Sequence, residues 1–98
     1  MSEFMGMIWG KYDAKEGFQP GGASLHSCMS GHGPDGPTFL KASEEDLKPF
    51  YFDAGLAFMF ESTYMMKIAE KQLEAPNLEK DYAKCWTQLP KTFNPNKK

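Results

Sequence analysis

Apolar residues fall into three short runs along the chain, each bounded by glycine, proline or charge. The first, "EFMGMIWGKY", is rich in bulky apolar and aromatic residues. It predicts a strand over residues 3–12, with Gly6 and Gly10 marking a bulge or a close backbone approach. The turn-laden "DAKEGFQPGG" separates it from "ASLHSCM", a predicted strand over roughly 24–29. A period of two would put Leu25, Ser27 and Met29 on one face and Ser24, His26 and Cys28 on the other. The third run, "GLAFMFES", is too short for a buried helix and predicts a strand over roughly 56–61. All three are expected to pair antiparallel in one sheet.

The polar stretches between them predict loops. "SGHGPDGP" is a loop by its glycines and prolines, and "KASEEDLKPFYF" is a polar connection leading into the third strand. "STYMMKIAEKQLEA" fits two templates: a helix capped by Ser62 with Met65, Met66, Ala69 and Leu73 on one face, or a continuing strand. "NLEKDYAKCWTQL" predicts a short amphipathic helix, capped by Asn77 and stopped by Pro90, that buries Leu78, Tyr82, Cys85, Trp86 and Leu89. Residues 91–98 are expected to fray.

Composition narrows the function. Ninety-eight residues make one domain at most. Net charge is −2, and none of the cationic side chains is arginine, which argues against nucleic acid as a partner. No run approaches the roughly 18 apolar residues of a membrane helix, so no membrane partner is expected. The start of the chain lacks the basic and apolar regions of a signal peptide. Cys28 and Cys85 are isolated thiols without metal or disulfide spacing, which points to a reducing cytoplasm.

The candidate chemistry is concentrated in "GGASLHSCMSGHGPDG", residues 21–36, which holds both histidines. Glu3, His26 and His32 are the ligand-capable residues near this cluster, with Cys28 and Asp35 as lesser candidates. Two imidazoles and one carboxylate match the facial arrangement that holds non-haem iron(II) and leaves positions open. On spacing alone, two histidines on a polar loop are more often surface residues. His26 also fits a ring bonded to a backbone carbonyl, and Tyr12 fits an aromatic at a strand edge. Signatures such as GxSxG, the P-loop and HExxH are absent.

Taken together, "MSEFMG", "GGASLHSCMSGHGPD", "AFMFES" and "YAKCW" resemble the C-terminal part of the homogentisate 1,2-dioxygenase family. The resemblance runs from Met1 to about Pro95. It implies a mainly β fold: residues 1–98 as a partial C-terminal cupin-type (jelly-roll) barrel domain with a short C-terminal helix. It also implies an iron(II) enzyme that inserts both atoms of O₂ into the ring of homogentisate. The product would be maleylacetoacetate, in tyrosine and phenylalanine breakdown, and the complete enzyme a homo-oligomer. Carried over by position, Glu3 and His32 match iron ligands, and His32 also lies against substrate. Tyr12 matches a substrate-contacting tyrosine, and His26 a histidine near the substrate oxygens.

One departure matters. In the family a further histidine ligand precedes the glutamate and falls outside this chain, whose Met1 aligns with an internal methionine. The chain is therefore expected to hold part of an iron site, with Glu3 loosely placed near the first residue, and to be inactive alone. The competing reading is a non-catalytic β module, a remnant of such an enzyme.

Overall fold

Strand β1 (Ser2–Gly10) lies at the centre of a three-stranded antiparallel sheet in the computed structural model, which describes residues 1–97. On one side it pairs with β2 (Ala23–His26), setting Glu3 opposite His26 and Met5 opposite Ser24. On the other it pairs with β3 (Gly55–Ser62), setting Met5 opposite Met59 and Phe4 opposite Phe60. The protein is mainly β, as expected, and each predicted strand is present with shifted ends.

The shifts have local causes. β1 stops at Gly10, where φ is +79° and a Cβ would stand 2.0 Å from the Ala54 carbonyl oxygen. Only glycine fits such a turn. Before it, the register slips between Met7 and Trp9, which inserts a bulge beside Ile8. β2 ends at His26 and not at residue 29, because the Ser30 N–H and hydroxyl both fold back onto the Ser27 carbonyl, at 3.2 and 2.8 Å. The alternation expected through Ser27 and Met29 is lost in that turn.

Alternation along β1 separates two faces. Glu3, Met5 and Met7 share one, and Met5 and Met7 form the small buried core. Phe4 and Gly6 share the other, where the Phe58 ring crosses Gly6 and packs 6.1 Å from the Phe4 ring. Ser2 is fully buried: its hydroxyl donates to the Tyr64 carbonyl (2.7 Å) and accepts from the Cys28 N–H (2.9 Å).

Helical structure departs from expectation in three places. Helix α1 (Gly36–Glu44) occupies a stretch read as loop and polar connection. Its signals were present: Asp35 caps it by accepting the Thr38 N–H at 2.8 Å, and Pro37 sits in the first turn. Phe50 and Tyr51, read as the lead into β3, are instead exposed coil. The ambiguous segment forms only one helical turn, α2 (Glu70–Leu73), with Met65 and Leu73 exposed.

The expected C-terminal α-helix is a 3-10 helix, Tyr82–Trp86, flanked by turns. Its bonds run from Lys84 to Asp81 (2.8 Å) and from Thr87 to Lys84 (3.1 Å). A stretch this short is marginal as an isolated α-helix, and its contacts to the histidine loop settle its shape. Of the five residues expected on the buried side, Tyr82, Cys85, Trp86 and Leu89 are half-buried, whereas Leu78 is exposed. Residues 91–97 carry neither helix nor strand, and the last residue of the expected frayed tail, 98, lies outside the described residues.

Candidate metal centre

The antiparallel register of β1 and β2 brings Glu3 and His26 together as direct cross-strand neighbours. The chain then turns at Ser27–Ser30 and carries His32 back over the same face. Glu3 Oε2 and His32 Nε2 stand 2.7 Å apart, and both side chains are about three-quarters covered, at 25% and 24% exposure. Ser2, clamped between Tyr64 and Cys28, fixes the backbone next to Glu3, so the carboxylate is not loosely placed. The His26 ring stacks on that of His32, with centroids 4.2 Å apart and planes 8° from parallel. Glu3, His26 and His32 each offer a ligand atom, and these atoms lie within 4.8 Å of one another.

The hydrogen bonds of His32 suit a cation. Its Nδ1 faces the Ser30 carbonyl at 3.3 Å, an acceptor that requires Nδ1 to carry the proton. Nε2 then faces a carboxylate oxygen, a second acceptor. A shared proton, or a metal ion that Glu3 and His32 would hold in its place, would satisfy both lone pairs. A backbone carbonyl that orients the far nitrogen of a ligating histidine is a common support for metal sites.

A cavity of about 130 Å³ opens over this cluster, with Tyr12, Lys15 and Tyr82 also in its wall. Tyr12 packs edge-on against Phe18, and burial first, then Asp13 and Glu3, raises its pKa above that of an ordinary tyrosine. Burial, with the neighbouring His32, lowers the pKa of His26 and favours the neutral ring. Among the described residues His26 is bonded to no backbone carbonyl; its Nε2 meets the Tyr82 hydroxyl at 2.7 Å. Burial raises the Tyr82 pKa to about 12, so the phenol stays protonated. Lys15 stands 3.8 Å over the Tyr82 ring and pairs with Glu79 at 3.2 Å.

The lesser candidates go elsewhere. Asp35 is buried and spends both oxygens on backbone, accepting from Thr38 N–H (2.8 Å) and Glu16 N–H (2.7 Å). Cys28 and Cys85 are free, half-buried thiols outside the cluster. Two residues of the wall, Tyr82 and Lys15, have no site signature in the sequence. Tyr82 carried only an aromatic's signal for burial, and Lys15 carried none.

The family described as Homogentisate 1,2-dioxygenase C-terminal matches residues 1–93. Among curated relatives, the homogentisate 1,2-dioxygenase of Pseudomonas fluorescens strain Pf-5 is 57% identical over 99 aligned positions. Those of Pseudomonas fluorescens strain Pf0-1 and Pseudomonas entomophila strain L48 are each 54% identical. Each alignment takes in the whole of this chain and 23% of the relative's length.

Proposed function

The chain belongs to the homogentisate 1,2-dioxygenase family, and on that basis we propose that it carries part of an iron(II) centre for aromatic ring cleavage. The substrates are homogentisate and O₂ and the product is maleylacetoacetate, in tyrosine and phenylalanine breakdown. Both oxygen atoms enter the product, so no external reductant is consumed. In this reading the sheet is one part of a cupin-type barrel, completed in a homo-oligomeric cytoplasmic enzyme. The two free thiols suit that compartment.

The observation that carries the reading is the 2.7 Å approach of Glu3 Oε2 to His32 Nε2, with Ser30 holding the other ring nitrogen. Glu3 and His32 would hold the iron, a hard carboxylate and a neutral imidazole being suited to it. When bound, iron(II) supplies the positions at which a phenolate and O₂ meet.

The other residues act on the substrate. The protonated Tyr12 hydroxyl donates a hydrogen bond to a substrate oxygen, and burial keeps it in that form. His26, neutral and beside the ligands, holds or moves a proton at a ring nitrogen. Met5 and Met59 add apolar surface to the cavity wall, against which an aromatic ring can pack.

The test is oxygen uptake on adding homogentisate to protein loaded anaerobically with Fe(II), for this chain and for a form extended upstream to the length of its relatives. Uptake by the extended form alone is expected. An extended form that binds iron but consumes no oxygen would remove the dioxygenase reading and favour the non-catalytic module. Equal uptake by both would require a complete ligand set within these residues, with His26 as the third ligand.

A further inference from the structure

Tyr82 lies 56 residues beyond His26 in the chain, yet its hydroxyl meets His26 Nε2 at 2.7 Å. The ring is held on several sides. Trp86 packs edge-on at 5.0 Å, the Lys15 ammonium sits 3.8 Å over the ring, and the His26 ring lies 5.8 Å away at 26°. Trp86 is itself anchored, since its indole N–H donates to the Gly33 carbonyl at 3.0 Å, next to His32. One 3-10 helix therefore braces the strand that carries His26 and the loop that carries His32.

The direction of the Tyr82–His26 bond decides what His26 can do. Among the described residues, His26 is the Tyr82 hydroxyl's only hydrogen-bond partner. A half-buried hydroxyl that merely accepted there would leave its own proton without a protein acceptor. Donation to an unprotonated Nε2 satisfies both groups and places the ring proton on Nδ1.

We propose that Tyr82 is a positioning residue whose hydroxyl donates to His26 Nε2, fixing the Nδ1–H tautomer and withholding Nε2 from the metal. Two stacked imidazoles thereby take different tasks: His32 offers a lone pair at Nε2, and His26 offers an N–H at Nδ1. The functional meaning of this assignment rests on the proposed iron centre; its measurement does not.

Long-range ¹H–¹⁵N correlation spectra of the metal-free protein read which ring nitrogen carries the proton. His26 is expected as Nδ1–H. Tyr82→Phe should move the tautomer ratio roughly threefold to tenfold toward Nε2–H, the equivalent of one hydrogen bond. Tyr12→Phe, which removes a hydroxyl from the same cavity, should leave the ratio unchanged. Co(II) absorption provides the second arm. In the form extended upstream to the length of its relatives the spectrum should be nearly insensitive to His26→Gln, whereas in the Tyr82→Phe background, with Nε2 released, it should respond.

An Nε2–H tautomer in the parent overturns the proposal, as does an unchanged ratio in a folded Tyr82→Phe variant. If that variant does not fold, the parent spectrum decides alone. A form extended upstream to the length of its relatives that shows His26 as Nδ1–H but binds no Co(II) would sink the iron reading and leave the role of Tyr82 standing.

Discussion

The imidazole of His26 lies flat against that of His32, 4.2 Å away, while their second partners point in different chemical directions: a phenol for one, a carboxylate for the other. Two rings of the same type are thus distinguished by what lies beyond them. The pair makes single substitutions informative, because each ring can be removed while the other keeps its own anchor.

Replacing His32 by Ala in the extended, iron-loaded protein removes a proposed ligand. Iron affinity should fall by more than about 100-fold, since losing a supporting group alone typically costs 10–100-fold. Tyr12→Phe removes only a hydroxyl and should leave iron affinity within about threefold while impairing substrate handling. Equal metal loss in the two variants, measured by titration, would show that Tyr12 is wrongly placed.

Asp35 ties α1 to the loop at Glu16. Asp35→Ala removes a helix cap and leaves a second backbone N–H without its acceptor, so a loss of about 1–3 kcal/mol is expected in denaturant unfolding. Burial pushes the Asp35 pKa up, but hydrogen bonds from Thr38 and Glu16 and the charge of Lys15 outweigh it, and the net shift is downward. A carboxyl with a depressed folded pKa stabilises above its unfolded value of about 3.9 and loses that contribution as pH falls through the folded value. The difference in stability between the parent and Asp35→Ala should therefore be full at neutral pH and shrink below about pH 4.

The strands are legible in the sequence because β1 and β3 are short apolar runs and β2 a short alternating one, each with glycine at or near its ends. The histidine cluster is legible because both rings sit in one loop. What the sequence obscured was decided by distant contacts. The register that sets Glu3 opposite His26 depends on pairing across a long loop. The shape of residues 82–86 depends on Trp86 reaching Gly33 and Tyr82 reaching His26. Helix α1 is a different miss: its cap and proline were visible at Asp35 and Pro37, but the glycine-rich loop before them masked the signal.

Met29 takes a φ of 66°, a left-handed conformation unusual for a residue with a side chain. That side chain is fully exposed, at 103%. Met29→Gly should relieve strain without removing a buried contact and stabilise by ~0.5–1 kcal/mol, after the extra freedom of glycine in the unfolded chain is set against the gain. Met29→Val should destabilise. Thermal melts of the two variants should fall on opposite sides of the parent.

Gly10 should tolerate no side chain. Gly10→Ala meets a left-handed penalty of about 1–2 kcal/mol and a clash with the Ala54 carbonyl, which already accepts the Lys11 N–H at 3.0 Å. The loss should exceed 2 kcal/mol on the same estimate once that backbone is displaced. Amide exchange should quicken at Lys11. A neutral Gly10→Ala would mean that β1 can end without this turn.

The order β2–β1–β3 also sets a timetable for synthesis. Of these three strands the central one is made first, and its second neighbour, β3, begins at residue 55. At translation rates of roughly 5–20 residues per second, β1 waits several seconds for that partner to be made. During that interval Met5 and Met7, buried in the finished sheet, lack β3 beside them and the strand keeps an unpaired edge, the kind of surface that chaperones shield. For this chain, the rate of elongation between β1 and β3 bears on how much protein reaches the native state.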